Sequence, residues 1–333
     1  MGIVNYDVVQ ANVFLGAQAV TQGNVWYVKP RIGNNDNDGK APSSAFKTLA
    51  QAQSAATANQ NDIVYLMAES NTATSTTDYQ SAALDWAKDG VHLIGVGSGP
   101  MIGQRARIAA LSTVKAIADL FTVSADNCII ANIEVFYGVA SCTSAVSRAM
   151  VVSGQRNRFV NCQISGMGDT SMDDTGARSL AVIYPAAENI FQHCYIGLDT
   201  VIRATNVIEN EITGTGTATR VPRTIFEDCV FNTYTSTATG KMVAHTYTDR
   251  FVMYKNCTFI CATGITGALA ITGVFSNSDI NGKIIVDKST AFGPGDWTTA
   301  DDSTVYIASV NAVIDDDAPI VNAGIAVVSD VTD

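Results

Sequence analysis

A short motif recurs through the middle of this chain, and recurrence at roughly 30-residue spacing restricts the fold to a repeat architecture. Four copies are clear: Phe159-Val160-Asn161-Cys162-Gln163-Ile164, Phe191-Gln192-His193-Cys194-Tyr195-Ile196, Phe226-Glu227-Asp228-Cys229-Val230-Phe231 and Tyr254-Lys255-Asn256-Cys257-Thr258-Phe259. A partial copy reads Asn127-Cys128-Ile129-Ile130, and a decayed one reads Phe275-Ser276-Asn277-Ser278-Asp279-Ile280. The anchors fall at 128, 162, 194, 229, 257 and 278.

Within one copy, Cys162 and Ile164 are two apart and share a strand face. Phe159 lies three before Cys162 and reaches the same interior only if the chain bends between them. Asn161 stands at that point, and Asn tolerates left-handed backbone angles. Each copy is therefore a short strand, a one-residue corner and another strand. Stacked coil on coil, such units bury ladders of equivalent side chains. The expected ladder is Phe159, Phe191, Phe226 and Tyr254, with Cys162, Cys194, Cys229 and Cys257, and with Ile164, Ile196, Phe231 and Phe259. Segments 149–152, 180–183, 199–202, 242–244 and 269–271 read as a further strand face, and Gly/Thr-rich stretches at 166–177 and 214–221 read as loops.

Composition supports an all-β solenoid. The 333 residues are 47% hydrophobic and only 15% charged, with Ser, Thr, Asn, Ala and Gly in place of the Glu and Lys of helical surfaces. Twenty Lys and Arg against 31 Asp and Glu leave a net charge of −11. That balance, with no basic run, excludes a nucleic-acid backbone binder. No apolar run approaches a membrane span, and the first residues lack the pattern of a secretion signal. The seven cysteines are expected to be reduced, buried thiols acting as small apolar residues.

Residues 1–22 carry no clear period and are expected to form an N-terminal arm. Residues 23–290 are expected to hold the solenoid, with an N-terminal cap over 23–70, and residues 291–333 a C-terminal β cap or oligomerisation segment. In the cap, Asn24 to Pro30 reads as a strand, Ser43-Ser44 as a helix cap, and Phe46, Leu49, Ala52 and Ala56 as one helix face. Asp62-Ile63-Val64-Tyr65-Leu66 reads as a buried strand. Asn34, Asp36 and Asp38 resemble the start of a calcium loop, but the twelfth position, where Glu would stand, is Ala45. Asx-turn chemistry accounts for the triplet without a metal. The best pair of carboxylates for acid–base work is Asp173-Asp174, near Arg178. As neighbours on a strand they would face opposite ways.

The strand 24–30, the turn with Asp38-Gly39, the string Pro-x-x-x-Phe-Lys-Thr-Leu-x-x-Ala from Pro42, then Asp62 to Leu66 and Val91 to Gly97, resemble the cap and first coils of right-handed, pectin-lyase-like parallel β-helices. Within that group, the strings at 26–30, 86–95, 99–105 and 130–134 are similar to phage-encoded β-helix virion proteins. The resemblance implies a capsid decoration (cement) protein on the particle exterior, made in the host cytoplasm. It implies a homotrimer partnered by the major capsid protein, with neither nucleic acid nor membrane as partner. The alternative it leaves is a tailspike or tail-associated protein that binds or cleaves host polysaccharide. On this reading the chain is expected to need no cofactor and not to be an enzyme.

Overall fold

The structure, a computed structural model, describes residues 23–68, 77–97, 106–204, 208–262, 271, 273–294, 296–298, 305–308 and 313–314. The arm at 1–22 and most of the segment after 298 lie outside the described residues.

Three parallel sheets wrap one core. Among the described residues, sheet A has ten strands, sheet B nine and sheet C seven, and every neighbouring pair is one coil apart in sequence. A representative coil runs from Gln163–Ser165 in sheet B through Arg178–Ile183 in sheet C to Ile190–Gln192 in sheet A. The next coil stacks on it in register: Phe159 sits level with Phe191, and Phe191 with Phe226. This is an all-β parallel β-helix.

The corner from sheet A to sheet B is a single left-handed residue. Asn132, Asn161, His193, Asp228, Asn256 and Lys288 occupy it, with φ between 51° and 57°. Asn and Asp adopt this conformation at least cost among residues with a side chain. Each corner places the following residue inside, where Cys162, Cys194, Cys229 and Cys257 are all at most 1% exposed. The rings before the corner stack with centroids 4.4, 4.8 and 5.1 Å apart along Phe159, Phe191, Phe226 and Tyr254. A second stack joins Phe231 to Phe259 at 4.8 Å, and Ile164 and Ile196 fill the earlier rungs. All seven cysteines are free thiols. Burial pushes the Cys162, Cys194 and Cys229 thiols well above their usual pKa.

The outer copies of the repeat are corrected by the register. Cys128 lies level with Asn157, at the corner from sheet C to sheet A, and the residue level with Cys162 is Ile133. The Phe275 string belongs to sheet C, in strand Gly273–Ser278; the residue level with Cys257 is Ser289, whose Oγ accepts from Cys257 N at 3.0 Å. Val286 replaces the aromatic there, so the true copy carries no visible motif. Residues 199–202 lie in sheet B, in Tyr195–Arg203, and the sheet C strand of that coil is Ile208–Thr213. Most of 269–271 lies outside the described residues. Strands Val305–Ala308 and Val313–Ile314 extend sheets A and B, so the solenoid runs past residue 290.

The corner from C to A carries a ladder the motif search missed. Asn157 and Asn189 are at most 1% exposed. Asn157 Oδ1 accepts from Cys128 N at 2.7 Å, and Asn189 Oδ1 accepts from Asn157 N at 2.9 Å. Their amides donate to Ala125 O and Gly154 O at 2.8 and 2.9 Å. Each buried Asn thus satisfies backbone groups that the turn leaves unpaired.

At the N-terminal end, helix α1 (Leu49–Ala55) lays Leu49 and Ala52 over the open coil. Its N-cap is Thr48, not Ser43-Ser44, which lie in a 3-10 turn begun by Pro42. Gly39, at φ 68°, packs against Phe46, and a Cβ there would lie 2.2 Å from that ring. Asp62 is fully buried and accepts from Asn24 N, Thr57 N and Trp26 Nε1 at 2.6, 2.8 and 3.0 Å. Burial pushes its pKa up, but these donors outweigh that and hold it below the ordinary value.

Two outcomes are expected. Phe191→Ala removes the middle ring of a stack and should cost about 3–5 kcal/mol in a urea titration, as for other fully buried Phe side chains; a loss under ~1 kcal/mol would contradict the stacked ladder. Burial pushes His245 down to about 3 and His92 to about 4, against an ordinary 6.5. Between those limits the unfolded chain binds more protons, so stability should be full above pH 6.5 and fall as pH drops toward 4. His245 Nε2 hydrogen-bonds Tyr254 Oη at 2.9 Å, a contact Gln can keep. The denaturation midpoint of His245→Gln should therefore fall less than that of the parent between pH 7 and 4.5, and parallel falls would contradict it.

Candidate functional site

The sequence-derived candidates are placed as follows. Asp173 and Asp174 end a 3-10 turn, Thr170–Met172. Asp173 Oδ2 accepts from Ala204 N at 2.7 Å, and Asp174 Oδ1 from Thr175 Oγ1 at 3.2 Å. The two carboxyls are held by different partners rather than brought together. In the N-terminal turn, Asn34 Oδ1 accepts from Asp36 N at 3.2 Å, while Asp38 Oδ1 accepts from Lys40 N and Ser44 Oγ at 3.0 and 2.5 Å. The Ser44 hydroxyl and the Lys40 amide lower the Asp38 pKa. Among the described residues, no group of three or more His, Cys, Asp or Glu is placed to hold a metal ion.

A charged constellation that the sequence did not suggest lies on sheet C. Arg148 is level with Asp119 on one side and Arg178 on the other. Asp119 takes Arg148 in a fork, Nε to Oδ1 at 2.7 Å and Nη2 to Oδ2 at 3.0 Å. Two guanidiniums on adjacent rungs repel, and Glu211 answers both: Oε2 lies 3.0 Å from Arg178 Nε and Oε1 3.5 Å from Arg148 Nη1. Asp119, Arg148 and Glu211 keep side-chain exposures of 28%, 20% and 18%, so the row meets solvent.

At the corner from B to C lies a buried counterpart. Arg203 and Glu209 are 1% exposed each, with Arg203 Nε 3.1 Å from Glu209 Oε2. Ser179 Oγ donates to Glu209 Oε1 at 2.5 Å and Thr233 Oγ1 to Oε2 at 3.0 Å. Burial pushes the Glu209 carboxyl up, and Arg203 pulls against that shift. Removing either partner would strand a buried charge, which costs several kcal/mol, about 3–5.

A 570 Å³ cavity opens beside sheet A, lined in part by His92, Asn127, Arg156, Arg158 and Glu188. Glu188 bridges Arg156 at 3.0 Å and Arg223 at 2.6 Å. His92 Nδ1 accepts from Ile129 N at 3.0 Å, which leaves the proton of the neutral ring on Nε2.

Pairing explains why none of this was legible. Asp119, Arg148, Arg178 and Glu211 meet through coil stacking at irregular sequence distances. The one available signal was the Arg148/Arg178 recurrence, one coil apart.

No protein-family model matches the chain, and no curated protein matches it. Solved structures do. A pectate lyase is 13% identical with a TM-score of 0.52; the match covers 82% of this chain and 64% of that one, so this chain spans less than two thirds of that enzyme's length. A pectin methylesterase from Erwinia chrysanthemi is 14% identical with a TM-score of 0.53, covering 89% and 92%. A rhamnogalacturonan lyase is 13% identical with a TM-score of 0.50, covering 81% and 68%. These neighbours correct the expectation that the chain is not an enzyme, since each of them is one. At such identities the likeness shows the fold alone: this chain shares the right-handed parallel β-helix fold of these three enzymes.

Proposed function

We propose that the chain is a β-helix component of a phage particle, carried on the capsid exterior as a homotrimer docked on the major capsid protein. The observation that carries this reading is the string at 86–95, one of those similar to phage virion β-helices, together with the work it does. Trp86 is fully buried and its Nε1 donates to Val91 O at 2.8 Å. Lys88 Nζ donates to Ser54 O and Ala56 O at 2.8 and 2.6 Å, tying down the end of helix α1. Asp89 Oδ1 accepts from Asp126 N in the next coil at 2.8 Å. The string is the joint between cap and solenoid, so the resemblance rests on how the solenoid is closed. A net charge of −11 suits a place outside the shell, away from packaged genome.

Immunogold labelling of purified particles with antibody to this chain should mark the outer surface of the head. Particles that carry the chain only on the tail, or not at all, would overturn the capsid reading.

A second reading, a tail-associated protein that binds or cleaves host polysaccharide, is favoured by the partly exposed cluster of Asp119, Arg148 and Glu211, backed by the buried Arg178. If that cluster handles polysaccharide, the protein should bind or depolymerise host capsule or lipopolysaccharide. Asp119→Asn and Glu211→Gln should then weaken the effect at least tenfold, measured at a temperature where circular dichroism shows each variant folded. Undiminished action in both variants would sink it.

A further inference from the structure

The 570 Å³ cavity beside sheet A is of a size that holds small molecules, and none of Asp119, Arg148, Arg178 and Glu211 lines it. Two columns of stacked residues build it. One follows the corner from C to A: Gly90 N donates to Asp126 O, Asn127 N to Gln155 O and Arg156 N to Ala187 O, at 2.8, 2.9 and 2.8 Å. Gly90, Asn127, Arg156 and Glu188 therefore follow one another rung by rung, all left-handed, with φ of 65°, 58°, 55° and 59°. The other column lies two residues on, where His92 stands beside Ile129, Ile129 is level with Arg158, and Arg158 with Ile190. The short Gly90 and Asn127 leave room beside His92 and Ile129. The long Arg156 and Glu188 wall one end.

The polar groups around this space are unevenly spent. His92 is 4% exposed, and its Nδ1 is taken by Ile129 N, so the Nε2 proton is a buried donor that bonds no protein group. Arg156 gives its Nε to Glu188, and its two Nη atoms bond nothing among the described residues. Glu188 also answers Arg223, at 2.6 Å. One carboxylate thus serves two guanidiniums, which leaves one positive charge over, and Arg158 stands on the same rung as Arg156. The far end is negative: Asp89 and Asp126 lie beside the rungs of His92 and Ile129, each with Oδ1 given to a backbone N of the next coil.

We propose that this cavity binds a small hydroxylated carboxylic acid, its carboxylate on Arg156 and a hydroxyl or carbonyl oxygen on the Nε2 proton of His92. The two residues stand two strand spacings apart, about 10 Å along the axis, so the ligand needs a body as well as an acid group. Ile129 and Ile190 offer that body an apolar floor, and the Asn127 amide, which bonds no protein group, faces its hydroxyls. A single negative charge matches the one guanidinium left over, and the acid end is kept from the His92 end by Asp89 and Asp126. The inference does not depend on either reading of the function.

The test is calorimetric titration of the full chain with gluconate and glucuronate, against glucose, acetate and glucose 6-phosphate. At least one of the two acids should bind, with glucose and acetate weaker by about tenfold or more, since each lacks one half of the recognised group. Arg156→Asn should weaken the acid by a similar factor without lowering the thermal midpoint, because Asn accepts φ near 55° and Glu188 keeps Arg223. In the parent chain, the NMR signal of the His92 Nε2 proton should move on titration. Failure of both acids to bind would overturn the proposal, as would equal binding by Arg156→Asn or a still His92 signal. Tighter binding of glucose 6-phosphate than of glucuronate would overturn the choice of a carboxylate.

Discussion

The whole solenoid depends on one backbone constraint, the single left-handed residue that turns the chain from sheet A into sheet B. A one-residue corner cannot absorb a change of register. Asn132, Asn161, His193, Asp228, Asn256 and Lys288 therefore stand above one another along the axis. Once the corner is fixed, the residue after it must point inward with little room, which suits the compact, weakly polar thiol of Cys. The residue three places before points inward too, and at ~4.8 Å per coil its ring meets the next ring at stacking distance. The aromatic and cysteine ladders are two consequences of the same turn.

Coil stacking also dictates where charge can go. Any side chain has its equivalents directly above and below, so a charge repeated on successive rungs repels itself unless an opposite charge reaches between. Two charged clusters among the described residues are solved this way. Glu211 reaches back to Arg148 and Arg178, and Glu188 joins Arg156 to Arg223. With only 15% charged residues, most rungs avoid the problem by carrying Ser, Thr, Ala or Asn. The buried Arg203–Glu209 pair is the exception inside, tolerable because Ser179 and Thr233 satisfy both carboxylate oxygens.

What was legible in the sequence was the part fixed locally. The corner needs a residue that accepts φ near 50°, and Asn161, Asp228 and Asn256 announce it within a six-residue window. Where Lys288 accepts the same angle and Val286 replaces the aromatic, the motif vanishes although the geometry continues; the search settled instead on Phe275 and Ser278, on another sheet. Cys128 misled in the same way, since a Cys beside a left-handed Asn also suits the corner from C to A, where Asn127 has φ 58°. The charged cluster, apart from the Arg148/Arg178 recurrence, and the asparagine ladder were not legible. Their members converge only after coils of different length have been stacked, and no local window holds that information.

A repeat fold offers an internal control that most proteins lack. In a single domain of irregular shape, an outward-facing apolar side chain can be blamed on local backbone or neighbours. In sheet A the strand direction and the order of pairing recur from rung to rung, so a difference along one row is carried by its side chains. The strand Ile63–Met67 already carried this signal, because an unbroken apolar run suits a strand covered on both faces rather than one. Its inward residues Val64 and Leu66 belong to the core, and its outward residues Ile63 and Tyr65 to a second cluster that ends at Val160. Gln192, Glu227 and Lys255 then take over at the same structural positions, bonded to one another as a water-facing row requires. Between Val160 and Gln192 the row therefore passes from a packed apolar cluster to a polar stretch that bonds to itself.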